Sequence, residues 1–445
     1  MKSTRFAIPV AIASAMLFWA ARVGMAADAV DHPLVAAIRS AQPQGRASAV
    51  EALWREVDAH GTPLVERIPG REDRIRVTFL WRNAPAEHDS NVSLMASFLP
   101  GGSRELAPLA RVAGTDVMAA SFTVDARARF RYYFAWPQGR ASDAGAVWRM
   151  PVNGLTYELF DDSRSRLFYI DDFDGAPVRT SYFEGPAAPP EPWLARNPAV
   201  AAGTLDTFEV HSRILNNDRR VSVYTPAGYS KGTGRYPVLV LFDREGYLLS
   251  APTPTILDNL IAAGTVAPLV AVFVSAIDLE HREVELKAND RFASFVVDEL
   301  LPRVAADYRV TRDARRRVVA GSSLGGLTSA HIAFRHPEAF GNVLSLSGSY
   351  WWHPAAAEEG DEPRSVDASG WLPHLYAARP RLPLRFYLSV GSGEGVGMLE
   401  PNRLFRDVLT AKGNVLRYEE LQGDHSYLNW RDGLAAGLEF LLPGK

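Results

Sequence analysis

The chain of 445 residues contains no cysteine. That absence excludes disulfides, thiolate-held metal centres and a thiol nucleophile. An excess of basic residues is missing too: 48 Lys and Arg stand against 51 Asp and Glu, a formal net charge of −3. A general nucleic-acid binder would carry a strongly basic footprint, so that class is set aside. The apolar stretch at the N-terminus, Phe6 to Ala21, is short for a full membrane span. Lys2 and Arg5 stand in or before it and Gly24-Met25-Ala26 follows it, the layout of a cleavable secretory signal. The sequence therefore predicts a signal peptide over residues 1–26 and export to a bacterial periplasm. The mature chain would start near Ala27, with no stable membrane insertion after cleavage.

Apolar residues make up 47% of the chain and charged residues 22%, enough to bury real cores in two domains of ordinary size. Residues 27–60 carry apolar side chains at helical spacing, as in Val35-Ala36-Ala37-Ile38 and Val50-Glu51-Ala52-Leu53-Trp54. From about residue 75 the period changes to two. Arg76-Val77-Thr78-Phe79-Leu80-Trp81, Val92-Ser93-Leu94-Met95 and Arg129-Phe130-Arg131-Tyr132-Tyr133-Phe134 read as short strands of a β-sandwich. The predicted N-terminal domain covers residues 27–183, helical lead included. Residues 184–203, rich in Pro and Ala, read as a semi-rigid linker.

Residues 204–445 alternate β and α patterns. PVLVLF (Pro237 to Phe242), LVAVFV (Leu269 to Val274), Val318-Val319-Ala320 and Leu384 to Val390 are near-continuous apolar runs, the signature of parallel strands buried on both faces. Helical patterns fall at Ile256 to Ala263, Phe292 to Tyr308, Leu327 to Arg335 and Arg403 to Lys412. The fold class expected is α/β: a doubly wound sheet of α/β-hydrolase type behind an N-terminal β-sandwich.

The chemistry is carried by Gly321-Ser322-Ser323-Leu324-Gly325-Gly326, placed between a buried strand and a helix. A serine on such a strand-to-helix turn holds its hydroxyl clear of the sheet, and the next N–H, on Leu324, faces a developing oxyanion. Gly228-Tyr229-Ser230-Lys231-Gly232 fits the same G-x-S-x-G pattern. No helix follows it, so Ser230 reads as a loop serine. Ser323 needs a base. His425, in Gly423-Asp424-His425-Ser426 between a strand and the last helix, has the right place in chain order. The base needs a carboxylate. Glu394 is the first after the strand Arg385 to Val390, with Glu400 and Asp424 as alternatives and a dyad without an acid as a third. A second oxyanion N–H is expected in the loop Asp243-Arg244-Glu245-Gly246, near Arg244. No protein metal-ligand set and no cofactor motif is visible.

Residues 70–443 resemble the enterochelin esterase family, hydrolases that open catecholate siderophores. The resemblance rests on Val77-Thr78-Phe79-Leu80-Trp81-Arg82, Arg220-Val221-Ser222-Val223-Tyr224-Thr225-Pro226, Leu241-Phe242-Asp243, Arg282, Glu285-Leu286 and Asn289. Its densest part is Ala320 to Leu327, His336-Pro337-Glu338-Ala339-Phe340-Gly341 and Ser345 to Trp352, followed by Glu394 and Gly423-Asp424-His425 with Trp430-Arg431. It implies Ser323 as nucleophile and His425 as base, and supports Glu394 as acid. It implies a ferric catecholate siderophore as the small-molecule substrate, with the iron arriving inside it. A trianionic complex favours cations and aromatic faces at the mouth, for which Arg244, Arg282, Tyr350, Trp351, Trp352 and Trp430 are the candidates. The chain departs from the family pattern at Asp424, where a second glycine is usual, at Arg244, where the usual D-G is lost, and at Gly395, where proline is usual. The rival expectations are a feruloyl or acetyl esterase acting on polysaccharide and a binding protein without turnover.

Overall fold

The computed structural model describes residues 30–83, 91–99, 105–137, 148–152, 155–171, 177–231, 234–354 and 370–444. The expected signal peptide lies outside the described residues. Among those described, no helix is long and apolar enough to cross a membrane.

Two helices, Pro33–Ser40 and Pro43–His60, open the described chain. Strands follow: β1 (Leu64–Ile68), β2 (Arg71–Arg82), β3 (Ser93–Ala96), β4 (Leu106–Pro108), β5 (Ala110–Arg111) and β6 (Val117–Asp125). Then come β7 (Arg129–Pro137), β8 (Trp148–Val152), β9 (Leu155–Phe160), β10 (Arg166–Asp171) and β11 (Pro177–Glu184). They form one sheet in the order β1-β2-β6-β5 and another in the order β10-β11-β7-β3-β4, with β9 added to β7 and β8 to β9. Inward side chains of the two sheets make one core, in which Phe79 meets Tyr132 edge-on at 4.9 Å and Phe98 meets Phe130 at 4.7 Å. Strand β2 is buried on both faces over residues 77–80, because Leu80 on its outer face packs with Val35, Ile38, Leu53, Trp54 and Val57 of the leading helices. That covering explains why the sequence alternates only weakly there.

The segment after β11 lies against its neighbours. Asn259 Nδ2 donates to the carbonyls of Trp193 and Ala195 at 2.8 and 2.9 Å, and Arg431 grips Glu191 through two bonds of 2.6 and 2.5 Å.

The remaining chain supplies β12 (Thr204–Ser212), β13 (Asn217–Thr225), β14 (Val238–Phe242), β15 (Val270–Val274), β16 (Arg317–Ser322), β17 (Asn342–Leu346), β18 (Arg385–Gly391) and β19 (Val415–Leu421). The sheet order is β12-β13-β15-β14-β16-β17-β18-β19. β12 and β13 pair antiparallel, Phe208 opposite Val221, and β14 to β19 run parallel. β14, β15 and β17 are buried at every position, as the apolar runs of β14 and β15 require, and helices cover both faces. The fold is α/β, a doubly wound sheet of the hydrolase type. One helix departs from expectation. Asp290–Ser294 passes into a π-helical stretch, Phe295–Leu300, before Leu301–Asp307. Pro302 lacks the N–H that would bond the Asp298 carbonyl, and the run takes the wider register just before it.

Because β14, β16, β18 and β19 are parallel, the loops after them open at one end of the sheet. These loops carry Asp243, Ser323, Glu394 and His425. An open α/β sheet places its ligand crevice outside the carboxyl ends of its strands.

Candidate active site

Ser323 links β16 to the helix Leu324–Arg335 and holds φ 58° and ψ −123°. A non-glycine residue at positive φ is unfavourable and persists only where its surroundings impose it. Here they do. Ser323 N–H donates to the Leu346 carbonyl at 2.9 Å, and its own carbonyl accepts from Gly326, Leu327 and Ser349 N–H at 3.0, 3.1 and 3.0 Å. The glycines are required by close approach. A Cβ on Gly321 would stand 2.6 Å from the Gly325 carbonyl carbon, and one on Gly326 would stand 2.6 Å from Ser345 Oγ. The Ser323 hydroxyl makes its hydrogen bond with Ser349 Oγ, at 3.3 Å.

His425 Nδ1 and Glu394 Oε2 are 2.7 Å apart. The Glu394 side chain has no exposed surface, whereas that of His425 is 38% exposed. The second oxygen of Glu394 accepts from Ser347 Oγ at 2.5 Å and from Gly391 N–H at 2.6 Å. Ser347 Oγ in turn accepts from Trp430 Nε1 at 3.0 Å, and the Trp430 ring stands edge-on to the His425 ring at 5.0 Å. A carboxylate held by two other donors and facing Nδ1 favours the imidazole tautomer that carries its proton there. Of the three carboxylates open in the sequence, Glu394 makes this contact. Glu400 is exposed on the helix Val396–Ala411. Asp424, 1% exposed, turns away from the imidazole and bonds Ser97, Arg131 and Ser426.

Arg244 and Leu324 each open a helix, Arg244–Leu249 and Leu324–Arg335, so their N–H groups have no acceptor inside the helix. β14 and β16 are adjacent, which brings the two turns together. A Cβ on Gly325 would lie 3.6 Å from Asp243 Oδ2. Asp243 adopts the left-handed conformation, φ 58° and ψ 55°, and its carboxylate is gripped by Arg282 through two bonds of 2.8 Å.

Four of the expected mouth residues are buried or already partnered. Arg282 is buried in that pair with Asp243, so its charge is compensated and its work is to hold the turn. The Arg244 guanidinium bonds Ser222 Oγ at 2.7 Å and Glu245 Oε1 at 2.8 Å. Tyr350 has no exposed surface. Its hydroxyl donates to Ser345 Oγ at 2.7 Å and its ring packs on Phe405 at 4.6 Å. Gly348 makes this possible, since a Cβ there would meet the Tyr350 ring at 2.5 Å. Trp352, 6% exposed, packs edge-on to Trp371 at 5.5 Å. Trp430 belongs to the site as the support of His425 and Ser347. Trp351 is half-buried and packs against the core. Among the described residues, no cluster of three His, Asp or Glu could hold a metal.

Ser347 and Ser349 had no role assigned from the sequence. Their signal was present in Leu346-Ser347-Gly348-Ser349, small polar residues at the carboxyl end of a fully buried central strand.

The Esterase family model matches residues 212–441, and the model of the enterochelin esterase N-terminal region matches residues 76–194. An iron(III) enterobactin esterase of Dickeya dadantii is 30% identical over 411 residues, covering 88% of this chain and 93% of that protein. The chain belongs to the enterochelin esterase family. It is a carboxylic-ester hydrolase. A crystal structure of the enterobactin esterase from Shigella flexneri, in the presence of enterobactin, matches this esterase with a TM-score of 0.69 at 26% identity. That match covers 86% of this chain and 97% of the other. An endo-1,4-beta-xylanase/feruloyl esterase of Xylanibacter ruminicola is 26% identical over 243 residues, 52% of this chain and 30% of that protein.

Proposed function

We propose that this esterase hydrolyses the trilactone esters of a ferric catecholate siderophore, with Ser323 as nucleophile, His425 as base and Glu394 as its acid partner. One observation carries the substrate reading: the similarity to iron(III) enterobactin esterases spans 88% of the chain, sandwich included, whereas the feruloyl esterase relative covers 52%. In the mechanism Ser323 Oγ attacks the ester carbonyl carbon while His425 Nε2 takes the hydroxyl proton. Glu394 stabilises the imidazolium through Nδ1–H. The tetrahedral oxyanion lies toward the N–H groups of Leu324 and Arg244. Collapse breaks the ester C–O bond, and His425 returns the proton to the leaving alkoxide. Water, deprotonated by His425, then attacks the acyl-enzyme, the Ser323 ester C–O bond breaks, and His425 returns the proton to Ser323 Oγ. The iron enters and leaves as part of the substrate. Trp351 offers a partly exposed aromatic face for a catechol ring.

We further infer that the enzyme works in the periplasm after removal of residues 1–26. Support comes from Lys2, Arg5, the Phe6 to Ala21 stretch and Gly24-Met25-Ala26. An N-terminal sequence of the exported protein starting near Ala27 is the expected result, and an intact Met1 in the cytosolic fraction would overturn it.

The substrate test incubates the mature protein with an iron-loaded catecholate trilactone beside Ser323→Ala, with products read by mass spectrometry. Linear and monomeric products that vanish in the variant are expected. No turnover, with hydrolysis of a simple aryl ester retained, discards the substrate and turns attention to feruloyl esters. Inertness toward both esters points to a binding protein.

A further inference from the structure

The loop that carries His425 is held from outside its own domain. Strand β7 of the sandwich reaches it at three points. Arg129 N–H donates to the Gln422 carbonyl at 2.9 Å, and Arg129 forms a parallel bridge with Gly423. Two residues on, and so on the same side of the strand, Arg131 N–H donates to Asp424 Oδ2 at 3.1 Å. The Arg131 guanidinium then spans the loop: Nη2 donates to the His425 carbonyl at 3.1 Å and Nε lies 3.5 Å from Asp424 Oδ2. Ser97 Oγ, after β3, donates to the same carboxylate oxygen at 2.9 Å. The other oxygen of Asp424 accepts from Ser426 Oγ, and the Asp424 carbonyl accepts from Asn429 Nδ2, so the carboxylate ties sandwich, loop and last helix to one point. The acid loop is joined as well, since Gly393 N–H donates to the Gly423 carbonyl at 2.9 Å.

We infer that Arg131 and Asp424, with Ser97, are positioning residues for His425, and that the sandwich domain is in this way a working part of the catalytic site. The inference rests on the reading of His425 as the base. Asp424 is 1% exposed, and a carboxylate so buried is tolerated only because its oxygens are met by charged and neutral donors. The bonds fix the backbone on both sides of His425 Cα, which sets where Nε2 stands relative to Ser323 Oγ. None of the three residues touches the reacting atoms. Their effect falls on the chemical step, where displacement of a catalytic group by about 1 Å costs on the order of 100-fold in rate.

The test uses the full mature chain and a soluble aryl ester, with kcat and KM measured for Arg131→Met, Asp424→Asn, the double variant and Ser97→Ala. We expect kcat to fall about 10- to 100-fold in Arg131→Met and Asp424→Asn with KM within about twofold. The double variant should fall little further than either single one, because the two act through one network. Arg131→Lys should recover part of the loss by restoring one donor. Ser97→Ala removes only one bond and serves if the larger changes prevent folding; about a threefold fall in kcat is expected. Wild-type kcat in the folded Arg131 and Asp424 variants, or in Ser97→Ala if those do not fold, overturns the inference. So does a loss that appears in KM alone. His425→Ala separates this failure from that of the underlying reading. A dead His425→Ala beside fully active Arg131 and Asp424 variants rejects only the brace, and an active His425→Ala rejects the base itself.

Discussion

Ser323 and His425, the proposed nucleophile and the proposed base, are held in different ways. The hydroxyl of Ser323 bonds a residue 26 positions away, and its backbone is fixed by the turn after the neighbouring strand β17. Glycines packed against backbone make the elbow a compact local object. His425 is set by Glu394, 31 positions upstream, and its loop by Ser97 and Arg131, 327 and 293 positions away from Asp424. A nucleophile can be specified by a short stretch of chain. A base delivered by a loop needs the rest of the fold, including a second domain, to bring its partners.

The largest contrast is predicted between the two serines that share one motif. Ser323→Ala should lower kcat on an aryl ester by about 10,000-fold or more, leaving the residual catalysis of the oxyanion site, while Ser230→Ala should match wild type. Steady-state kinetics with an active-site titration of the preparation checks this. Next come the carboxylates. Glu394→Gln should cost on the order of 1,000- to 10,000-fold in kcat, because the amide favours the wrong imidazole tautomer, and Glu400→Gln should cost nothing measurable. Equal losses in the two would remove Glu394 from the acid's role.

Smaller effects separate the packing of the two halves. Gly326→Val places its Cβ and two methyls against Ser345 and Gly348 and should destabilise the hydrolase core by about 1–3 kcal/mol, read from urea midpoints. The weakest prediction concerns pH. His331, on the helix after Ser323, is lowered to about 4 by burial, which outweighs the raising effect of Asp290. A base depressed in the folded state loses stability as pH falls through its unfolded value near 6.5 toward 4. Asp432, on the helix after His425, is raised to about 8 by burial and by the Glu191 carboxylate, against the opposing pull of Arg129. An acid raised in the folded state contributes stability at low pH that is lost as pH climbs from its ordinary value near 4 through 8. His331 thus costs stability in acid and Asp432 in alkali. Tm measured from pH 4 to 9 should show Asp432→Asn flattening the alkaline limb and leaving the acid limb in place.

Legibility in the sequence follows the same division. The elbow, its strand and its helix are written in Val318 to Arg335, because a buried parallel strand and a glycine-lined turn have local signatures. His425 and Glu394 could be ranked from chain order, but three carboxylates stayed open because the distance that separates them is a tertiary quantity. Tyr350 and Trp352 are expected at the mouth as aromatic faces for a catecholate complex. Both rings enter the core instead, and Gly348 leaves room for that of Tyr350. Arg282 reads in sequence as a lone cation, and only the pairing of β14 with β15 and β16 brings it to Asp243. The roles of Ser97, Arg131 and Asp424 join two domains and have no local pattern at all.

The central claim is that the Ser323 hydroxyl is activated by the His425–Glu394 pair. The most direct measurement is the rate at which a fluorophosphonate labels the mature protein, with the modified residue located by peptide mass spectrometry in wild type, His425→Ala and Glu394→Gln. The account predicts a single adduct on Ser323, formed at least about 100-fold more slowly in both variants. Label on Ser230, or an undiminished rate at Ser323 in His425→Ala, would contradict it.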